Sequence, residues 1–331
     1  MDAPELTDLI PIPQIWERLD RVEHRLLEAS RADDPFLTEI AQHGLLAGGK
    51  RFRPLLAQLT AEFGPNLDHR AIDAGAAVEL IHLGSLYHDD VIDEATTRRG
   101  ATSVNSNWTN TIAILAGDFL MARASEVAAS TLGQEAVRLL ARTYAELVEG
   151  QTLELQVDHD LNHGPTEYYR IIGGKTASLI RTSARLGAMA SDAPPEVIEA
   201  VSTWAWEIGM VFQITDDALD LVATDGYLGK PAGSDIGEGK FTLPVLLALG
   251  GPEGIRISEL LSAPRPYPEE AVAEVIDLVR SGGYVDRALE EAASRVASAQ
   301  QAVMALPEGD AKGVLGRLGT YLLGRVTAAR T

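Results

Sequence analysis

The chain has 331 residues, of which 28 are Lys or Arg and 48 are Asp or Glu, so its formal net charge is −20 at pH 7. A protein with this charge repels phosphate backbones and anionic membrane surfaces, which disfavours nucleic acid as a partner. The chain contains no cysteine, which excludes disulfides, thiolate nucleophiles and zinc–thiolate sites.

The first residues, MDAPELTDLIPIPQ, are acidic and interrupted by proline. They lack the basic start and the continuous apolar stretch of a secretory signal. No uncharged run of the sequence reaches the length of a membrane span. We therefore expect a cytoplasmic protein with no membrane span, in which residues 1–13 form an N-terminal tail.

Apolar residues recur at spacings of three and four from Ile15 onward, as at Val22 and Leu26, and this periodicity predicts helices. Alternating runs typical of strands are hard to find. Segments rich in glycine and proline separate the predicted helices at 64–69, 160–166, 191–195, 224–240, 250–254 and 263–268. None of these segments is a long polar linker, so one all-α domain over residues 1–331 is the simplest prediction.

The segment AGGKRFRP is the first candidate binding segment, because it groups Lys50, Arg51 and Arg53. Guanidinium groups match the oxygens of a diphosphate. Gly48 and Gly49 would let the backbone approach a phosphate, although a turn that ends a helix explains the two glycines equally well.

The predicted helix 71–92 is almost wholly apolar and ends in the carboxylates Asp89, Asp90 and Asp93. Helical geometry places these residues at about 0°, 100° and 40°, so they share one face. Hard oxygen ligands on a rigid face suit Mg²⁺. A single cluster of this kind is more often a solvated acidic face.

Three more polar residues flank these carboxylates. Arg98 and Arg99 follow directly, although an arginine pair by itself is usually surface charge. His82 lies about 20° from Asp89 around the helix and could donate a hydrogen bond to a phosphate. A core histidine with satisfied hydrogen bonds is the simpler interpretation of His82 alone.

A second largely apolar helix, 201–222, ends in Asp216, Asp217 and Asp220 within FQITDDALD. Charge at the end of a buried helix costs free energy unless a metal or a cation compensates it. Two such clusters in one chain therefore favour a functional site over two solvated faces.

Further cations follow in the second half of the chain. Lys175 and Thr176 lie in a predicted helical segment, and Lys230 and Lys240 bracket the glycine-rich stretch GKPAGSDIGEGK. This stretch is predicted to be a mobile lid whose lysines reach a bound diphosphate and exclude water. An ordinary surface loop is the alternative.

These segments together resemble the trans-polyprenyl diphosphate synthases, which join isopentenyl diphosphate head to tail to an allylic diphosphate. The resemblance covers roughly residues 40–250 and rests on GGKRFRP, DDVID followed by RRG, GGKTASL, FQITDDALD and GK…DIGEGK, in that order. It implies the all-α isoprenoid synthase fold, a helical bundle with a central active-site cavity, and a homodimer.

The resemblance also implies roles for the acidic residues. A cluster of three Mg²⁺ ions on the allylic diphosphate would be ligated by Asp89, Asp93 and Asp216. The residues that ligate metal or order metal-bound water would be Asp90, Asp217 and Asp220.

The cationic and polar residues receive roles in the same way. The clamp on the allylic diphosphate would consist of Arg98, Lys175, Lys230 and Lys240. The pocket for isopentenyl diphosphate would contain Lys50, Arg53, His82 and Arg99, with Arg51 as a further substrate-binding residue. Thr176 and Gln213 would help to stabilise the allylic cation.

The growing hydrocarbon needs an apolar path, and the natural route runs back along the helix that carries Asp89. Ser85, Ile81 and Val78 lie four, eight and eleven residues before Asp89 and within about 80° of its direction. Neither Ser85 nor Gly84 is bulky, so nothing there enforces a short product. The prediction is a product of C20 or longer.

Four alternatives differ from this prediction. The chain could make a short product as a geranylgeranyl or farnesyl diphosphate synthase, or be a non-catalytic subunit of a heteromeric synthase, which would have lost metal ligands. A terpene cyclase would need neither the DDALD motif nor a second diphosphate pocket. An acidic helical scaffold would have no reason to place basic groups beside acidic ones.

Overall fold

The structure, a computed structural model, describes residues 3–223 and 232–330. The helices are α1 (Ala3–Leu9), α2 (Pro13–Ala29), α3 (Pro35–Leu46), α4 (Phe52–Ala61), α5 (His69–Ile92), α6 (Val104–Asn107), α7 (Asn110–Thr131), α8 (Gln134–Val157), α9 (Pro165–Ile172), α10 (Ser178–Ala190), α11 (Pro195–Val222), α12 (Ser234–Glu238), α13 (Leu243–Leu249), α14 (Gly254–Leu261), α15 (Glu269–Ser281), α16 (Tyr284–Met304) and α17 (Asp310–Ala329). A π-helical turn, Gly173–Ala177, joins α9 to α10. The all-α fold class is confirmed.

The chain divides into two compact units. Unit 1 consists of Met1–Ala145, Leu179–Ser202 and Ala305–Val314. Unit 2 consists of Glu146–Ser178, Thr203–Met304 and Leu315–Thr331. The single domain over residues 1–331 stays a prediction.

Helix α5 forms the centre of unit 1, where it packs against α2, α4 and α7. Every residue from Ala71 to Ile81 is buried. A helix that is apolar on all sides is stable only when other elements surround it, which explains this central position. The last turn of α5 leaves the apolar core and carries the carboxylates.

In unit 2, helix α13 packs against α9, α14, α15 and α16. The indole of Trp204 is fully buried and donates from Nε1 to the carbonyl of Leu315 at 3.2 Å. Ile208, Val211 and Ile214 of α11 are also buried. The packed face of α11 fixes the position of the carboxylates in its last two turns.

A two-stranded hairpin interrupts the helices directly after α5. Strands β1 (Thr97–Arg98) and β2 (Ala101–Thr102) pair antiparallel, and Arg99 and Gly100 form the turn with φ values of 56° and 78°. Positive φ at both central residues is typical of the tight turns that connect hairpin strands. The hairpin was not predicted from the sequence, and it determines the directions of Arg98 and Arg99.

Two segments that were predicted to be irregular contain helices. The predicted tail 1–13 includes α1, and Leu6 and Ile10 are buried. The predicted lid includes α12, and residues 224–231, with Lys230, lie outside the described residues. The other predicted breaks fall largely in non-helical segments between helices.

An ion pair connects the start of α5 to the loop before α11. The guanidinium of Arg70 donates to both oxygens of Asp192, at 3.0 and 2.7 Å, and Asn66 Nδ2 donates to Asp192 Oδ2 at 2.7 Å. The hydrogen bonds from Arg70 and then Asn66 lower the pKa of Asp192 to about 2.

We expect Asp192→Asn to lower the free energy of unfolding at pH 7 by about 0.5–1 kcal/mol, because the Asp192 side chain is 48% exposed and solvent screens the pair. A carboxyl with a lowered pKa stabilises the fold above its unfolded value of about 3.9, and this contribution disappears as the pH falls toward 2. Urea unfolding at several pH values should therefore show the two proteins converging below pH 4. A difference that is independent of pH would contradict the assignment.

Candidate active site

The carboxylates of the first acidic cluster (Asp89, Asp90 and Asp93) differ in environment. Asp89 is half-buried, Asp93 is exposed at the end of α5, and Asp90 is only 2% exposed. Asp90 Oδ1 accepts from Arg98 Nε at 2.8 Å and Nη2 at 2.6 Å. Burial raises the pKa of Asp90, and the Arg98 charge opposes this rise. Asp90 and Arg98 thus hold each other, which favours an ordering role for Asp90 over that of a metal ligand.

Arg51 has its hydrogen-bonding groups turned toward the protein. Its guanidinium pairs with Glu23 and with the buried Glu79, at 3.3 Å from Nη1 to Glu79 Oε1. It also donates to the carbonyl of Leu45 at 3.0 Å. These contacts argue that Arg51 organises the structure around Glu79, and they weigh against the prediction that it binds substrate directly.

Arg53 and Arg99, two members of the basic group (Lys50, Arg53, His82 and Arg99), act electrostatically on the same carboxylate, Glu79. The pKa of Arg53 is lowered to about 10, mainly by burial; the charge of Glu79 opposes this shift, and the charge of Arg99 contributes to it. Among residues 3–223 and 232–330, Arg53 Nε has no hydrogen-bond partner. A half-buried arginine whose enclosed Nε has no partner, close to a second guanidinium, provides favourable surroundings for an anion.

His82 belongs to this group electrostatically. Burial lowers its pKa well below 6.5, and the charges of Arg53, Arg99 and Arg51 lower it further. His82 is therefore neutral at pH 7 and can donate one ring N–H without adding charge. Lys50 is exposed beside this group.

The two glycines before Lys50 shape the loop that carries the basic group. The loop begins after α3, and Gly48 has a φ of 84°. The Gly48 carbonyl accepts a hydrogen bond from Arg99 Nη1. A Cβ at Gly49 would collide with the guanidinium groups of Arg99 and Arg51. The two glycines therefore end a helix and allow arginine side chains to approach the backbone closely. Their contact with a phosphate stays a prediction.

The second acidic cluster (Asp216, Asp217 and Asp220) is also divided by environment. Asp216 is half-buried, and its Oδ1 lies 3.3 Å from Arg325 Nη1. Asp217 and Asp220 are buried. Asp220 Oδ2 accepts from the backbone N–H of Asp235 at 3.3 Å. Asp235 is thus a further carboxylate beside this cluster, which sequence reasoning missed.

Asp217 has a raised pKa in this cluster. Burial raises its pKa to about 8, and the charges of Asp235 and Asp216 contribute to the rise. Hydrogen bonds from Tyr168 and Gln213 oppose this effect. Nearby positive charge would favour the ionised form of the carboxyl.

The carboxylates fit a divalent ion that takes only part of its ligands from protein. Within the described ranges, no three His, Cys, Asp or Glu side chains already form a group that could hold a metal. Mg²⁺ characteristically uses one or two carboxylates and completes its shell with water and phosphate oxygens. The donor set thus suits Mg²⁺ bound together with a phosphate ester better than a closed structural site.

Lys175 and Thr176 lie in the π-helical turn. Lys175 Nζ donates to Glu154 Oε2 at 2.5 Å, and Thr176 Oγ1 donates to Gln213 Oε1 at 2.8 Å. A Cβ at Gly174 would lie 2.7 Å from the carbonyl oxygen of Glu146, so only glycine allows α8 to approach this closely. Such turns are frequent at functional sites. The double glycine was the only signal for it in the sequence.

Lys240 Nζ donates to Glu238 Oε2 at 3.0 Å. The roles predicted for Lys175 and Lys240 as clamps on a diphosphate remain untested, and both lysines have acidic partners in this structure. A substrate would therefore have to compete with Glu154 and Glu238.

The residues predicted to measure product length are all buried in unit 1. Ser85 Oγ donates to the carbonyl of His82 at 2.8 Å, and Ile81 and Val78 belong to the main hydrophobic core. Gly84 faces α7, because a Cβ there would lie 3.0 Å from the carbonyl oxygen of Gly117. This contact gives Gly84 a role in helix packing, and its role in product length stays a prediction.

Comparison with known proteins gives the class of this chain. The family model described as Polyprenyl synthetase matches residues 34–279. The nonaprenyl diphosphate synthase of Mycobacterium tuberculosis is 40% identical, over 97% of this chain and 96% of its own. Heptaprenyl diphosphate synthase component 2 of Geobacillus stearothermophilus is 37% identical, over 92% and 94%. The chain therefore belongs to the polyprenyl synthetase family.

A solved structure agrees with this assignment. The geranylgeranyl pyrophosphate synthase of Corynebacterium glutamicum, complexed with calcium and isoprenyl diphosphate, superposes with a TM-score of 0.84 at 38% identity, over 98% of each chain. The predicted isoprenoid synthase fold is confirmed. In the part of the chain that the structure describes, no helix combines the length and the apolar character needed to span a bilayer.

We expect Arg98→Gln to lower the free energy of unfolding by about 2 kcal/mol, because it leaves the buried carboxyl of Asp90 without its cation. The estimate is below that for a fully buried pair because the Arg98 side chain is 39% exposed. The double variant Asp90→Asn with Arg98→Gln should recover most of this loss, as measured by urea unfolding. Equal stability of Arg98→Gln and the unmodified protein would show that the pair is not structural.

Proposed function

We propose that this chain is a polyprenyl diphosphate synthase that joins isopentenyl diphosphate to an allylic diphosphate and makes a trans-prenyl diphosphate of C20 or longer. Membership of the polyprenyl synthetase family makes it a prenyltransferase. The observation that supports the substrate assignment is the pair Arg53 and Arg99 near Glu79, where the enclosed Nε of Arg53 has no partner among the described residues and favours a bound anion.

The two acidic clusters serve the allylic substrate in this proposal. Asp89, Asp93 and Asp216 are the half-buried or exposed carboxylates and are the ones proposed to bind Mg²⁺, three ions in all. Bound Mg²⁺ stabilises the negative charge that develops on a departing diphosphate. Asp90, Asp217 and Asp220, which are buried, order the site around the metal ligands.

The basic group serves isopentenyl diphosphate. Arg53 and Arg99 supply charge-assisted hydrogen bonds to the diphosphate, and Lys50 adds charge from the exposed side. Neutral His82 donates one ring N–H. Binding through arginines leaves the metal-binding carboxylates for the other substrate, so the two diphosphates are distinguished by the chemistry of their sites.

The proposed reaction needs no side-chain nucleophile. The carbon–oxygen bond of the allylic diphosphate breaks, and both of its electrons leave with the diphosphate. The isopentenyl double bond then supplies the electrons of the new carbon–carbon bond. A proton leaves the adduct to form the new double bond, and the released diphosphate accepts it. Lys175 and Arg98 are proposed to stabilise the departing diphosphate.

The names of the relatives support a long product without deciding its length. The Mycobacterium relative is a nonaprenyl synthase, whereas the Corynebacterium structure is a geranylgeranyl synthase. The relative called component 2 keeps a heteromeric assembly as the alternative to a homodimer. Ile114 and Leu115 of α7 are exposed apolar residues, which supports a homodimer. Cytoplasmic residence is part of this proposal, supported by the absence of cysteine.

We expect Asp89→Ala to reduce turnover by at least about 10²-fold, because it removes a metal ligand that acts on developing charge. Its helix content by circular dichroism should be unchanged, since the residue is half-buried in the last turn of α5. Activity would be measured against Mg²⁺ concentration with isopentenyl diphosphate and C5 to C20 primers. The control is Asp20→Ala, which removes an exposed carboxylate from α2. Near-normal activity of Asp89→Ala would refute the metal-binding role.

We expect Ser85→Phe to shorten the product, because the ring would occupy the proposed apolar path one turn before Asp89. Ser85→Ala is the matched control and should leave product length unchanged. Chromatographic sizing of the products gives the readout. An unchanged product from a folded, active Ser85→Phe variant would contradict this path.

A further inference from the structure

The hydroxyl group of Tyr168 has no task in the reaction proposed above, although it contacts the second acidic cluster. Tyr168 is only 4% exposed, and its hydroxyl donates to Asp217 Oδ2 at 2.5 Å. The other oxygen, Asp217 Oδ1, accepts from Gln213 Nε2 at 2.8 Å. Both oxygens of this buried carboxyl thus have donors within unit 2.

The hydrogen bonds continue from Gln213 to Thr176. Gln213 Oε1 accepts from Thr176 Oγ1 at 2.8 Å. Four side chains therefore form one series, from Tyr168 through Asp217 and Gln213 to Thr176. Gln213 and Asp217 lie one turn apart on α11, whereas Tyr168 and Thr176 lie on the helical stretch that contains α9 and the π-helical turn. The series thus joins two helical segments of unit 2.

The chemistry of the groups fixes the direction of the series. The Gln213 side chain presents its NH₂ group to Asp217 Oδ1 and its oxygen to the hydroxyl of Thr176. Thr176 then uses its hydroxyl hydrogen on Gln213, and the lone pairs of its oxygen remain for another partner. An oxygen that offers only lone pairs stabilises positive charge.

Packing holds the start of the series in place. The ring of Tyr168 contacts that of Tyr169 edge to face, with centroids 5.6 Å apart. Arg295 lies over the Tyr169 ring at 5.1 Å and pairs with Glu207 at 3.1 Å. The Tyr168 hydroxyl therefore has a defined position, from which it can keep Asp217 an acceptor.

We propose that Tyr168 is a positioning residue for the condensation reaction: its hydrogen bond to Asp217 orients the Gln213 amide and the Thr176 hydroxyl so that Thr176 presents lone pairs to the allylic cation. This inference rests on the proposed function. It assigns to Asp217 a task different from that of Asp216, namely to orient Gln213. In this assignment Tyr168 acts through Asp217 and not by its own contact with substrate or metal.

The test is Tyr168→Phe, which keeps the ring and removes one donor. We expect kcat to fall by about tenfold to a hundredfold, as is typical when a hydrogen bond that orients a functional group is lost. The KM for isopentenyl diphosphate should be unchanged, because the basic group lies in unit 1 and is not part of the series. The control is Tyr169→Phe, which removes a hydroxyl from the adjacent ring and should keep the normal kcat.

A double-mutant cycle with Thr176→Val separates positioning from a general loss of stability. Valine has nearly the shape of threonine but no hydroxyl, so Thr176→Val removes the last hydrogen bond of the series. If Tyr168 acts through Thr176, the double variant should have the kcat of Thr176→Val alone. Additive losses, or a Tyr168→Phe variant that loses stability but keeps its kcat, would overturn the inference.

Further measurements distinguish failure of this inference from failure of the proposed function. If Tyr168→Phe does not fold, the same double-mutant cycle is measured with Asp217→Asn and Thr176→Val. The amide of Asn can donate a hydrogen bond, which allows the Gln213 amide group to reverse its orientation. Additive losses of kcat in this cycle also overturn the inference. An unmodified protein without condensation activity would refute the proposed function and this inference with it. An active protein with an unaffected Tyr168→Phe variant would refute the inference alone.

Discussion

The ion pair between Arg51 and Glu79 is the interaction on which the basic group of unit 1 depends. Glu79 is buried in the most enclosed stretch of α5, where an unpaired carboxylate would be very costly. Burial raises its pKa, and Arg51, Arg53 and Arg99 together oppose that rise. Glu79, with Glu23 as the second partner of Arg51, thus makes it possible to hold several guanidinium groups close together. Arg51 pairs directly with Glu79, whereas Arg53 and Arg99 act on it electrostatically, so their positive charge favours an anion.

The two acidic clusters follow one principle, although they lie on different helices. In each case an apolar helix is fixed by its packed face, and its last turns carry carboxylates whose environments differ. The buried members hold neighbouring side chains, as Asp90 holds Arg98 and as Asp217 holds Tyr168 and Gln213. The more exposed members, Asp89, Asp93 and Asp216, keep access to solvent. Aspartates of the same motif therefore need not have the same function.

The sequence was sufficient for the helical fold, because periodicity and glycine and proline breaks are local signals, and the motifs DDVID and DDALD are local signals that predict the carboxylates of the site. It did not reveal Glu79 or Tyr168, since a polar residue in an apolar run gives no indication of its partner across the fold. The close packing of Gly84 against α7 was not evident for a related reason, because the sequence does not show which backbone lies opposite a small residue. The hairpin 97–102 was missed because two-residue strands are too short to show alternation.

The π-helical turn at Gly173–Ala177 holds one residue more than an α-helical turn of the same span would. Loss of either Gly173 or Gly174 would restore α-helical spacing, and because a π-helical turn and an α-helical turn each complete about one rotation, the residues on the two sides would keep nearly the same directions. The additional residue therefore changes the helix locally, at the point where the backbone of Gly174 approaches the carbonyl oxygen of Glu146. In evolutionary terms, a single codon separates an ordinary helix from one with this close approach to α8.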